Sequence, residues 1–156
     1  MRPMFSRALL VLALFAMPAF CADNSLGQWK LNLEKSKYTP APMPVKSLTV
    51  TREAADGGVK VTTTGEQADG TAINSSYTAK YDGKEVSISG NAPYDTIALK
   101  QVNANTYTDT RKKTGGSYAA TGRTVVSNGG KTMTMTAKGT NGAGKAFTST
   151  FVFDKQ

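Results

Sequence analysis

Residues 131–155 read KTMTMTAKGTNGAGKAFTSTFVFDK. Met133 and Met135 fall on one side of the first half, and Thr132, Thr134 and Thr136 on the other. In the second half Phe147, Phe151 and Phe153 share a side opposite Thr148, Thr150 and Val152. A period of two marks a strand with one buried face. Asn141-Gly142 separates the halves, and both residue types tolerate the positive φ of a tight hairpin. The stretch therefore reads as an antiparallel hairpin.

The same grammar extends towards the N-terminus. Val59 and Val61 alternate with Lys60 and Thr62, and Tyr77 and Tyr81 with Thr78 and Lys80. Asp56-Gly57, Asp69-Gly70, Asp82-Gly83, Gly115-Gly116 and Asn128-Gly129-Gly130 supply further turns. Strands are expected over 26–31, 47–54, 58–65, 71–81, 84–90, 94–102, 106–114, 117–127, 131–139 and 145–155. No run has a helical period. Residues 32–38 read as a polar turn or short helical stretch. Residues 40–46, with Pro40, Pro42 and Pro44, read as a stiff extended crossover, because proline fixes φ and lacks a donor. Connections this short join antiparallel neighbours. Pairing the first strand with the last removes both exposed edges. The expected fold class is all-β, a single antiparallel up-and-down β-barrel of about 8–10 strands with little helix.

Residues 1–22 have the layout of a secretory signal peptide. Arg2 and Arg7 precede an apolar run from Ala8 to Phe20, and small residues follow near Ala19 and Ala22. The run is shorter than the roughly 20 residues a membrane-spanning helix needs. The expectation is a periplasmic or secreted protein with no membrane span after cleavage, its barrel domain filling residues 23–156. Cys21 is the only cysteine. Phe20 immediately before it departs from bacterial lipoprotein signals, so a lipid anchor there is disfavoured.

After residue 22 there are only five Leu, three Ile, nine Val and three Phe. A barrel with room or polar groups inside fits that stock better than a tight aliphatic core. The net charge of +8 falls to +6 without Arg2 and Arg7. The basic residues are scattered, with one run at Arg111-Lys112-Lys113, which reads as solvated outer faces. No basic-aromatic stripe of the kind that binds nucleic acid is present, and export argues against that partner.

Gly27-x-Trp29 on the first strand, in a small exported meander, resembles the opening of the lipocalin and calycin barrels. That resemblance implies a closed barrel with Trp29 plugging one end. The opening Gly27-Gln-Trp29-Lys-Leu-Asn32-Leu-Glu-Lys35-Ser36-Lys37-Tyr38 also resembles a group of small secreted bacterial proteins of unknown function, as do Arg123-Thr-Val-Val-Ser127 and Gly130-Lys131-Thr-Met133-Thr. The chain departs from lipocalins in three ways. It has no helix after the last strand, no disulfide, and no basic residue plainly placed to stack on Trp29.

The chain contains no histidine. That excludes Ser-His-Asp triads and Cys/His pairs, and no nitrogen/sulfur zinc site, phosphate loop or dinucleotide fingerprint remains. No cofactor, metal or catalytic residue is expected. Asp56, Asp69 and Asp82 sit where turn chemistry needs them. Tyr107, Asp109 and Arg111 share a face, with Arg123 on the next strand. Facing inward, the two arginines could grip a ligand carboxylate. Alternatively Asp109 satisfies them, or the charges face outward; the latter two readings are preferred, because buried charges are rare. Tyr77, Tyr81, Tyr94 and Tyr118 could line a cavity with their hydroxyl tips. Candidate ligand-binding residues are Trp29, Tyr77, Tyr107, Arg111, Tyr118 and Arg123.

The leading expectation is an exported protein that holds a small apolar or amphipathic ligand inside the barrel. The alternative is a filled barrel that binds a cell-envelope partner through its basic outer surface. A third reading, an isomerase- or cyclase-type enzyme, requires an inward acid or Tyr with a shifted pKa.

Overall fold

The computed structural model describes residues 22–156. The expected signal segment up to residue 21, with Cys21, lies outside the described residues. The rest is all-β, and no helix long and apolar enough to cross a membrane occurs among the described residues. The strands are β1 (Gly27–Thr39), β2 (Val45–Ala55), β3 (Gly58–Gln67), β4 (Ala72–Lys80), β5 (Asp82–Ser87), β6 (Ser89–Gly90), β7 (Thr96–Asn103), β8 (Thr106–Lys112), β9 (Ala119–Ser127), β10 (Thr132–Thr140) and β11 (Ala146–Lys155).

All eleven belong to one antiparallel sheet in the order β5-β7-β8-β9-β10-β11-β1-β2-β3-β4-β6. β1 and β11 pair from Trp29↔Lys155 to Thr39↔Thr148, so the two ends of the chain meet and the sheet curls into a nearly closed barrel. The opposite seam is less complete. β5 pairs with β7, whereas β6 pairs with β4 through Ser75↔Gly90 and Ser76↔Ser89 alone. One expected strand, 84–90, is thus two elements that lean on different neighbours. The Asn91 amide continues the β6 side by accepting from the Asn74 N–H at 2.7 Å.

Two expectations need correction. Residues 32–38 are strand, not turn or helix. The ladder with β11 slips between Asn32 and Lys37, and the Ser36 hydroxyl takes over there. It accepts from the Val152 N–H at 2.9 Å and donates to the Asn32 carbonyl at 2.6 Å. A polar side chain replaces a missing ladder bond, which is why a polar sequence stays extended. The proline crossover is also shorter than 40–46 and not extended. Residues 40–44 run through bends, and β2 already begins at Val45.

The inward faces follow the period of two. Leu31, Val50, Val59, Val61, Ile97, Leu99, Val126, Met133 and Phe153 pack around Trp29, which has no exposed surface. The two barrel ends differ. Tight hairpins, such as that between β2 and β3, crowd one end; the longer links at 40–44, 91–95, 113–118 and 141–145 gather at the other.

The tight end is floored by residues 22–26. Trp29 Nε1 donates to the Ser25 carbonyl at 2.8 Å, and Arg52 Nε donates to the Ser25 hydroxyl at 2.8 Å. The Ser25 hydroxyl in turn donates to Asp23 Oδ1 at 2.5 Å. The Tyr107 hydroxyl lies 2.6 Å from Asp23 Oδ1 and 2.8 Å from the Ala104 carbonyl, so one proton serves two acceptors. The Tyr81 hydroxyl donates to Asp23 Oδ2. Arg52 also lies over the Tyr107 ring, 5.4 Å from its centroid. No described side-chain N or O atom is fully buried without a partner.

Burial acts to raise the Asp23 pKa, but hydrogen bonds from Ser25, Tyr107 and Tyr81 outweigh it and hold the carboxyl below its ordinary 3.8. Stabilisation from this carboxylate is therefore fully present above pH 3.8 and fades as pH falls through the lower folded value. Asp23→Ala should cost about 1–3 kcal/mol at pH 7 in urea denaturation, because it strands hydroxyl donors in the floor. The same variant should show a shallower loss of stability than the parent as pH drops below 4.

Candidate functional site

At the wide end the barrel is hollow. A cavity of 570 Å³ descends from the links around Pro44, Ala92-Pro93 and Asn141-Gly142-Ala143 to Val50, Met135 and Phe153. Its rim includes exposed residues such as Pro44, Pro93 and Gly142, whereas Val50 and Phe153 at the bottom are buried. The cavity therefore opens to solvent between the links. Its volume falls within the range of ordinary small-molecule sites, about 300–1,000 Å³.

The wall below is aliphatic and aromatic, with Val50, Met135, Phe151 and Phe153, and Leu48 and Ile73 line the cavity nearer the wide end. The upper wall is a run of rings. Tyr38 stacks on Phe147 at 5.6 Å, Phe147 meets Tyr118 at 5.9 Å, and Tyr118 stacks on Tyr94 at 5.3 Å. Tyr38 reaches this run because β1 continues past its bulge.

Arg111 is the one charged residue among those lining the cavity. Its Nε donates to Asp109 Oδ1 at 2.6 Å and its Nη2 to Asp109 Oδ2 at 3.2 Å. The guanidinium also lies over the Tyr94 ring, 5.4 Å from the centroid. Only 13% of the Arg111 side chain and 4% of the Asp109 side chain is exposed. Burial acts to lower the Arg111 pKa, but Asp109 and the neighbouring phenols more than offset it, so the group stays charged. Burial pushes the Tyr118 hydroxyl up to about 12, against the opposing pull of Arg111.

The pair has a backbone requirement. Asp109 sits opposite Gly122 in the β8–β9 ladder, and a Cβ at Gly122 would come within 2.8 Å of the Asp109 carboxyl carbon. The missing side chain at 122 is the space the carboxylate occupies.

The six residues singled out from sequence do not converge. Arg111 and Tyr118 line the cavity. Tyr107 is in the floor, bonded to Asp23. Tyr77 faces the interior, and burial raises its hydroxyl pKa despite the opposing effect of Arg52. Trp29 is sealed at the closed end, away from the cavity lining. Arg123 is exposed on the outer face opposite Thr108, where it borders a shallow groove of 340 Å³ with Thr121 and Lys138. The two arginines therefore cannot act as one clamp: adjacent-strand parity places position 123 outside. The face of Tyr107, Asp109 and Arg111 points inward, and its charges satisfy each other.

Lys155 does stack on Trp29, with Nζ 5.1 Å from the ring centroid, contrary to the expectation that no basic residue does. It pairs with Trp29 in register and passes over Gly27, whose φ of +121° and close contact with the Lys155 stem both require a missing side chain. Sequence reading missed Asp23, Ser25, Arg52, Tyr38 and Phe147 as parts of the two ends. Arg52 carried a signal: it follows Leu48 and Val50 on the buried parity of β2.

The chain matches no protein-family model and no curated protein.

Arg111→Met should destabilise the barrel by about 3–5 kcal/mol, because it leaves the Asp109 carboxylate buried and unpaired. The double variant Asp109→Asn/Arg111→Met should recover most of that loss. Chemical denaturation with an unchanged m-value reads both effects.

Proposed function

We propose that this protein is a carrier or receptor for a small apolar or amphipathic molecule, held in the open-ended cavity. The observation that carries the reading is the 570 Å³ cavity, aliphatic below and ringed by Tyr38, Tyr94, Tyr118 and Phe147 above. Apolar walls supply affinity through buried area, and a few polar groups near the rim orient the guest. The cavity favours this reading over a filled barrel that works through its basic outer face. Arg123 and Lys138 on that face border only a shallow groove.

A lipocalin-like architecture is part of the same proposal. It is supported by the up-and-down order, by the β1–β11 closure, and by Trp29 at the closed end beneath Lys155. The site of action is proposed to be the periplasm or the cell exterior, on the strength of the layout of residues 1–22 alone. An enzyme reading has less support. The inward carboxylates, Asp23 and Asp109, are both engaged by hydrogen bonds in structural roles.

N-phenyl-1-naphthylamine, an uncharged apolar probe, should bind with a rise in fluorescence. Ala137 lines the cavity beside Phe147 and Tyr118. Ala137→Trp should fill that space and weaken probe binding by about tenfold or more, with near-parental thermal stability. Equal binding by parent and variant would place the probe outside the cavity and contradict the proposal.

A further inference from the structure

The charges inside the barrel balance. Arg52 and Arg111 face inward, and so do Asp109 and the floor carboxylate of Asp23. Arg111 pairs directly with Asp109, whereas Arg52 reaches Asp23 only through the Ser25 and Tyr81 hydroxyls, and each carboxylate already accepts hydrogen bonds from its neighbours. Arg111 nevertheless has donors to spare. A guanidinium carries more N–H groups than one carboxylate engages, and Asp109 takes only those on Nε and Nη2. Nη1 makes no bond to Asp109, and no described side-chain nitrogen is both fully buried and unpartnered, so Nη1 is either exposed or engaged. Arg111 lines the cavity, and the Tyr118 hydroxyl is the neighbour that shares its remaining donors there. They sit near the rim, because Arg111 is the last residue but one of β8 at the wide end.

From this geometry we infer, resting on the carrier reading, that the cavity selects an uncharged ligand bearing a carbonyl acceptor, such as an ester, amide or ketone, and disfavours the corresponding free acid. The carbonyl oxygen accepts from the free side of Arg111, and the apolar remainder extends down to Val50 and Phe153. A neutral acceptor gains a charge-assisted hydrogen bond without disturbing the balance. A carboxylate entering the same place adds a second anion to a cation already neutralised by Asp109. It loses hydration without gaining an unpaired countercharge. Asp109 is thereby the residue that sets ligand charge, and Gly122 is the residue that makes room for it.

The test uses methyl 4-phenylbutanoate and 4-phenylbutanoate as displacers of N-phenyl-1-naphthylamine at pH 7.5. The parent protein should prefer the ester by about tenfold or more. Asp109→Asn keeps the side-chain shape and removes the countercharge, so the acid should gain about tenfold relative to the ester. If Asp109→Asn fails to fold, the parent supplies the second measurement. Its apparent affinity for the acid should rise as pH is lowered towards 5 and the ligand takes up its proton, while ester affinity stays flat. A parent that binds the acid as well as the ester overturns the inference and leaves the carrier reading intact. An ester preference unchanged in a folded Asp109→Asn protein overturns the role of Asp109. Probe binding that neither compound displaces overturns the ligand class, and absence of probe binding overturns the carrier reading itself.

Discussion

The ladder between β1 and β11 is the constraint on which the barrel depends. Consecutive hairpins alone produce a long twisted sheet with two open edges and an apolar face that nothing covers. Joining Trp29–Asn32 to Val152–Lys155 and Lys37–Thr39 to Thr148–Thr150 makes that face an interior. The joint is not uniform. Where the register slips, the Ser36 hydroxyl bridges Val152 and Asn32, so β1 bends without losing its partner. That bend carries Tyr38 to the rim, where it extends the row of rings. Closure and cavity thus share a cause.

The two ends meet opposite demands with different chemistry. The closed end must seal the barrel without a helix or a disulfide, and it does so with a short N-terminal segment held by polar contacts. Asp23 gathers hydroxyl groups from Ser25, Tyr81 and Tyr107, and Ser25 relays the contact to Arg52 and Trp29. Buried polar groups are tolerable only when all are satisfied, and this network meets that condition. The wide end leaves its interior unfilled. Long links replace tight turns there, and a buried Arg111–Asp109 pair stands in a wall of rings. Ion pairs of this kind contribute little net stability compared with apolar packing. The role towards a ligand proposed for this pair is one that packing alone does not supply.

Much of the architecture was legible in the chain because its cause is local. Met133, Met135, Phe147 and Phe153 announce their faces by parity, and Asp56-Gly57, Asp69-Gly70 and Asn128-Gly129 announce their turns; Asp82-Gly83, read as a hairpin turn, instead lies within β5, and β4 and β5 do not pair. The division of 84–90 into β5 and β6 was not legible, because it depends on which neighbour each half finds across the seam. Residues 32–38 misled because their polarity suits a turn, whereas the hydrogen bond that keeps them extended comes from β11. The site was legible in part. The shared face of Asp109 and Arg111 could be read from spacing; its inward direction could not, and Arg123 was assigned to it without the cross-strand register. Asp23 and Ser25 carry no periodic signal, since they lie outside every strand.

On the proposed reading, the interior above Val50 and Phe153 holds a small molecule. Native mass spectrometry of residues 1–156, expressed in a bacterial host and purified without detergent, is the measurement to make. The expected result is a bound mass of a few hundred daltons, in keeping with a site of this size, that is lost in Ala137→Trp. A bare-chain mass for the parent, unchanged after exposure to apolar extracts of the host, would contradict it.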